Sequence, residues 1–454
     1  MTLTRRQFAG LALAGAAAPT TGLAQDRDML EVHRAPLFAP TSEYFEALAF
    51  IRDRRDPDMA AGLIQSLRFA RDRQFAIAET LQAITGEEHG VDWFAWMLWQ
   101  ENTPEVVPHP AFIPFKREVL LRVDENFDDL LRLEYLARDR MKIRLEEIAW
   151  GGVVKDGIPS LDNPELLTVA QADYLRGDDL VFGVSINGDA RAYPLRIMGW
   201  HEMFNDVIGG VPLALAYCTL CGSGILFETD IGQAEPLVFG SSGFLYRSNK
   251  LMFDRGTHSL WNQYTGKPVV GPLVDSGIEL QQRPVVITTW DSWKGSNPGT
   301  KVLSLETGHR RDYRSGVVYK DYFSSPDLMF PVLVDQREHQ QKDYVFTVRQ
   351  FGAARAWPLD AFETRGLIND GIADTPLVLL GDVDKRAVRA YERGQRRFAP
   401  DAGKLRDQDG TRWTVTEEAL LAPDGTRLPR VAGHISYWFA WDNYMGDAAT
   451  VFDG

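Results

Sequence analysis

The sequence predicts an α+β protein: an N-terminal helical region, then a β-rich domain built from two diverged internal repeats. Two observations carry that expectation. Apolar residues fall at helical spacing before about residue 150, and in short β-favouring runs between Gly, Asn and Asp turns after about residue 165. The β-rich part also matches itself at a fixed offset, as a repeated unit does.

The helical region is expected over residues 43–150, after an irregular lead-in at 25–42. Tyr44, Leu48 and Ile51 fall at helical spacing, as do Leu63, Leu67 and Ala70, and Phe75, Ile77, Leu81 and Ile84. Phe94, Met97 and Leu98 continue the pattern, with Trp93, Trp96 and Trp99 adding bulk. Pro104, Pro108, Pro110 and Pro114 break it, and helical periodicity resumes from Leu120 to Leu136.

Strands are expected at Leu180–Ile186, Val211–Tyr217, Gly224–Glu228 and Pro284–Thr289. Residues 181–195 match 345–359 at an offset of 164, with turns at Gly188 and Gly352 and exits at Tyr193-Pro-Leu and Trp357-Pro-Leu. The match runs on through Asn205-Asp206 against Asn369-Asp370 and Pro212-Leu213 against Pro376-Leu377. Beyond that the register is expected to shift, aligning Phe253–Gly256 with Tyr391–Gly394 and Trp290-Asp291 with Trp441-Asp442. The copies then span residues 165–310 and 335–454. What both share reads as scaffold, and what one alone carries reads as a candidate for function.

Residues 1–24 read as a twin-arginine signal peptide. Arg5 and Arg6 precede the short apolar run Leu11–Ala18, and Gly22-Leu-Ala24 offers a small-residue cleavage site. The expected location is therefore the periplasm. No later stretch has the roughly 18 apolar residues that a membrane span needs, so no membrane insertion of the mature chain is expected. The net charge of −14, or −16 once Arg5 and Arg6 leave with the signal, argues against binding nucleic acid through a basic surface. With two cysteines in 454 residues, the fold must rest on its core rather than on a disulfide framework.

Chemistry concentrates in the first copy. Cys218-Thr-Leu-Cys221 ends an apolar strand, and at offset 164 the cysteines meet Asp382 and Lys385, while His201 meets Arg365. Three chemistries fit the pair: a metal centre, a reversible dithiol–disulfide couple, or an inert disulfide or buried thiols. Thiolates are soft ligands, so a Cys218, Cys221, His201 set, with His258 as fourth ligand, suits copper or zinc. Met203 or Met252 as thioether donors would favour copper. Glu202 is a candidate catalytic base or a partner that orients His201. Asp254 and Arg255 read as a structural ion pair. Trp261, Tyr246, Trp290 and Trp293 are candidates to line a pocket, against the default of core packing.

The motifs Trp200-His-Glu-Met-Phe-Asn-Asp206, Tyr217-Cys-Thr-Leu-Cys-Gly222, Gly243-Phe-Leu-Tyr-Arg-Ser-Asn249, Met252-Phe-Asp-Arg255, Ser259-Leu-Trp261 and Thr289-Trp290 resemble those of domain of unknown function 3179 (DUF3179). The resemblance covers roughly residues 145–454. It implies an exported bacterial or archaeal protein and no settled activity. The family's cysteine motif has Pro where this chain has Thr219.

The expectation taken forward is an exported metal-binding protein, an oxidoreductase acting on a small-molecule substrate with copper or zinc at the Cys/Cys/His centre. The alternatives are a non-catalytic protein that binds or delivers a metal or small ligand, and a dithiol–disulfide redox protein.

Overall fold

The computed structural model describes residues 28–446 and 449–454. The twin-arginine signal expected at 1–24 lies outside the described residues. No helix among them is long and apolar enough to cross a membrane.

The N-terminal region is helical, with α-helices at Met29–Phe38, Thr41–Arg54, Ala60–Phe69, Gln74–Thr85, Trp93–Asn102 and Phe112–Leu121. Asp28 and Asp92 start two of them, each accepting a backbone N–H of the first turn. The first helix corrects the expected irregular lead-in. It holds despite Pro36 because Val32, His33, Ala35 and Pro36 are buried in the helical core. Pro114 sits in the first turn of the last helix, where a missing N–H costs little. The helix expected over Leu120–Leu136 is two short 3-10 turns, Glu125–Asp129 and Leu133–Tyr135. Their apolar residues Phe127, Leu130, Leu131 and Leu136 are buried without helical continuity.

The rest is β-rich, and its two halves pair alike. In the first, the strand order is 286–289, 180–186, 189–194, 301–303, 166–168. In the second it is 434–437, 344–350, 353–358, 450–451. The registers agree at the offset of 164. Val181 faces Pro194 and Val345 faces Pro358; Met203 faces Ala216 and Leu367 faces Leu380; Cys218 faces Ser223 and Asp382 faces Ala387. Gly188 and Gly352 turn the first hairpin of each half with φ of 80° and 73°, which a Cβ would oppose.

The offset lasts longer than the sequence suggests. Leu213 faces Glu228 and Leu377 faces Glu392, so Tyr391–Gly394 occupies the place of residues 227–230, not of Phe253–Gly256. Thr289 and Tyr437 pair with Leu180 and Tyr344, which makes Trp438 rather than Trp441 the counterpart of Trp290. The matched residues do the same jobs. Asp206 accepts from Arg191 and Tyr193, and Asp370 from Arg355 and Trp357. Asn205 brackets the backbone of Phe239 as Asn369 brackets that of Phe398.

A further five-stranded sheet, running from Ile148–Trp150 to Lys267–Val270, joins the helical region to the β-rich part. Phe112, Phe115 and Leu120 pack there against Phe244, Tyr246, Leu251 and Phe253. The buried Lys116 ammonium donates to the carbonyls of Leu145, Glu146 and Ile148 at the junction.

Candidate functional site at the cysteine turn

Cys218 ends the strand Val211–Cys218 and Ser223 begins the next. Between them the chain closes on itself, with the N–H of Cys221 on the carbonyl of Cys218 (3.2 Å) and that of Gly222 on Thr219 (3.3 Å). Cys218 and Cys221 are joined as a disulfide, their Cα atoms 5.3 Å apart, and both are buried. Gly222 has φ of 59°, and a Cβ there would meet the rings of Tyr437 and Tyr344 at 3.2–3.3 Å. Other elements tie the turn down. The Tyr437 N–H donates to the Cys221 carbonyl (2.7 Å), and the Tyr322 hydroxyl to the Leu220 carbonyl (2.6 Å).

The two sulfurs have different surroundings. Cys218 lines a small cavity of about 50 Å³ with Glu202, Thr219, Lys250, Tyr319 and Phe330 among its walls. Cys221 instead receives the side-chain amide of Asn249, 3.0 Å from its Sγ. Gln263 accepts from the same amide and donates to the carbonyls of Ala216 and Ser223, which fixes Asn249 against the turn.

Glu202 is the polar centre of the Cys218 side. It caps the helix Leu195–His201 in a left-handed conformation, φ 54°, with its N–H on Met198 (2.7 Å) and its carbonyl accepting from Tyr217 (2.8 Å). That conformation is costly without glycine and is typical of positions held for a purpose. The Glu202 carboxylate accepts from Thr219 (2.8 Å), Tyr319 (3.1 Å) and the Lys250 ammonium (3.2 Å). Burial pushes the Lys250 amine below its ordinary range, and the Glu202 charge pulls it back. Thr219, standing where the resembled motif has Pro, gives this carboxylate a hydroxyl that Pro lacks.

The residues expected to share a metal are dispersed. His201 is buried beneath Pro159 and Tyr313, with Nδ1 2.8 Å from the Pro159 carbonyl and Nε2 2.6 Å from the Tyr313 hydroxyl. A carbonyl can only accept, so Nδ1 carries the proton and Nε2 takes the Tyr313 proton. Burial lowers the ring's pKa to about 4. Neither nitrogen is spare. His258 sits in a turn beside Phe253, φ 59°, with its buried Nδ1 unpartnered. Among the described residues no three His, Cys, Asp or Glu side chains, these included, are grouped to hold an ion. The donor set Cys218, Cys221, His201 and His258 therefore does not fit one copper or zinc ion.

Other expectations also need correction. The His201 ring nitrogens are held by Pro159 and Tyr313, and the Glu202 carboxylate by Thr219, Tyr319 and Lys250, so Glu202 does not orient His201 by a hydrogen bond. Arg255 pairs with Asp156 (2.8 Å), while Asp254 accepts from Thr257 and from the Trp261 indole (2.9 Å). Trp261, Trp290, Trp293 and Tyr246 are core residues, all buried. The sequence reading missed Lys250, Asn249 and Gln263. A lysine inside the apolar run Asn249–Asp254 was the available signal, since a buried charge in a strand needs a partner. Tyr319 and Tyr322 lie between the two halves, where no periodicity marks them.

The match that identifies the chain spans residues 155–448, and the family it describes is a protein of unknown function (DUF3179). The chain belongs to the DUF3179 family. That span contains the cysteine turn, Glu202, Lys250, the first half and all of the second half but its last strand, so the site is family territory, whereas the helical region precedes it. No curated protein and no solved structure matches the chain.

Proposed function

We propose that this DUF3179 protein is a thiol–disulfide oxidoreductase whose working group is the Cys218–Cys221 pair. The observation that carries the reading is the asymmetry of the pair: an acid–amine couple, Glu202 and Lys250, beside one sulfur, and an N–H donor on the other. A substrate thiolate attacks Cys218 Sγ. The S–S bond breaks and its electron pair leaves on Cys221 as a thiolate, which the Asn249 amide stabilises. A second thiolate of the same substrate dithiol attacks its own mixed-disulfide sulfur and releases Cys218. The substrate leaves as a disulfide, two electrons remain on the protein, and both protein thiolates take up protons. Glu202 and Lys250 hold a proton within the Cys218 cavity for that exchange. Both sulfurs are buried, so the segment carrying Tyr319 and Phe330 must move for a substrate to enter.

The test is a trap. In Cys221→Ala the remaining Cys218 should accumulate a mixed disulfide with a small dithiol or glutathione, read by intact mass, while Cys218→Ala should not. Equal labelling of both variants, or of neither, would overturn the assignment.

The two halves read as diverged copies in which only the first keeps the redox pair, a reading supported by their common register. A second reading of the reduced state has its own support. Met203 and Met252 are buried in the same cluster as both cysteines, so soft donors surround the turn. Reduced protein should then bind one cuprous ion, lost in Cys218→Ser, without His201 or His258.

A further inference from the structure

A cavity of about 290 Å³ is lined by residues of both halves and shares no lining residue with Cys218's own pocket. Equivalent positions of the halves meet on its wall. Leu180 and Tyr344 differ by the offset of 164, and so do Gly222 and Arg386. The second pair is unequal in chemistry. In the first half the turn after the strand carries glycine at φ 59°, and in the second half the same place carries arginine at φ 51°. Arginine gains nothing from a left-handed backbone that glycine adopts freely, so its presence there asks for a reason in the side chain.

The Arg386 guanidinium lies 4.7 Å above the Tyr344 ring and makes no ion pair among the described residues. Its neighbours in charge are all engaged. Asp179 accepts from Ser315 (2.6 Å), from the Arg176 backbone (2.8 Å) and from Arg196 (3.2 Å). Asp178 pairs with Arg176, and Asp382 with Lys385 in the same turn as Arg386. Asp178, Asp179 and Arg196 also line the cavity, but each has an ion-pair partner, so Arg386 is the lining charge without one among the described residues, set against an apolar and aromatic wall that includes Ile287, Tyr217 and Tyr344. Guanidinium matches a carboxylate in shape and hydrogen-bond geometry, and an aromatic wall suits a flat or short apolar body.

We propose that this seam cavity binds a small organic carboxylate, one ring or a short chain in size, with its carboxylate on Arg386. The site stands apart from the redox reading, since no cysteine lines it. The test is calorimetric titration of the folded chain with a panel of benzoate, butyrate and hexanoate, and with benzamide as the neutral isostere of benzoate. At least one carboxylate should bind saturably and benzamide should not. Arg386→Ala and Arg386→Gly should each weaken that binding at least about tenfold, as expected for loss of a charge-assisted contact. Arg386→Lys should fall between. Arg386→Gly restores the residue of the matching turn, so the loss should come with an unchanged or raised melting temperature. If no panel carboxylate binds, if benzamide binds as well, or if Arg386→Ala and Arg386→Gly both retain affinity, the proposal is wrong.

Discussion

At the scale of single residues, Glu202 and Lys250 decide whether the cysteine turn has a chemical neighbour or only a wall. Two buried charges persist when each satisfies the other and the remaining lone pairs are taken, as Thr219 and Tyr319 do here. Removing one partner strands the other. Glu202→Gln and Lys250→Met are each expected to cost about 3 kcal/mol of stability to urea. The double variant should recover a coupling of about 2 kcal/mol. Strictly additive losses would mean that the two side chains do not act as a pair. Glu202 stood out in the sequence, but Lys250 did not, although a lysine inside an apolar strand was a signal, and nothing local marked the two as a pair. Glu202 reaches Lys250 only because a left-handed cap turns the chain back over the strand 203–208. His201 was misleading for the opposite reason. A histidine beside tryptophan and glutamate looks like a ligand, yet a carbonyl from residue 159 and a hydroxyl from residue 313 claim both its nitrogens. Those contacts span 42 and 112 residues, beyond any local pattern.

At the scale of elements, strands were easier to read than helices. The strand Leu180–Ile186 was legible to the residue because its apolar run is bounded by turn residues on both sides. The stretch after Leu120 was not, because short 3-10 turns bury apolar residues at nearly helical spacing. The offset of 164 was legible as far as residues 213 and 377. Its continuation to 228 and 392 became visible only in the pairing, since Ser223–Glu228 and Ala387–Glu392 share little beyond their position. The junction of the helical region was invisible in sequence for a similar reason. Lys116 looks like a surface lysine on an amphipathic helix, yet it is 1 % exposed. Burial pushes its pKa down to about 7, while three carbonyl acceptors favour the charged amine. Lys116→Met should cost about 3 kcal/mol, since it leaves buried carbonyls unpaired where the helix Phe112–Leu121 meets the sheet. Hydrogen exchange at residues 145–148 should rise with it, and unchanged protection there would contradict this role.

At the scale of the whole molecule, the helical region and the β-rich part form one packed unit, and both reach the cysteine turn. Trp93 from the helices, Phe330 from the segment between the halves, and Tyr437 and Phe439 from the second half all pack into the cluster that buries Cys218 and Cys221. A turn so enclosed does not need its disulfide to hold its shape. The bridge closes a very short loop, which is worth only about 2 kcal/mol in the chain-entropy account. The fold should therefore survive reduction, as a working redox pair requires and a structural staple does not. The most direct test is to equilibrate the folded protein in a series of dithiothreitol or glutathione redox buffers and quantify its two thiols by alkylation and mass, with circular dichroism recorded alongside. The account predicts reversible two-electron reduction at a potential above about −300 mV, with native dichroism at both ends of the titration. A pair that stays oxidised until the fold is lost would contradict it.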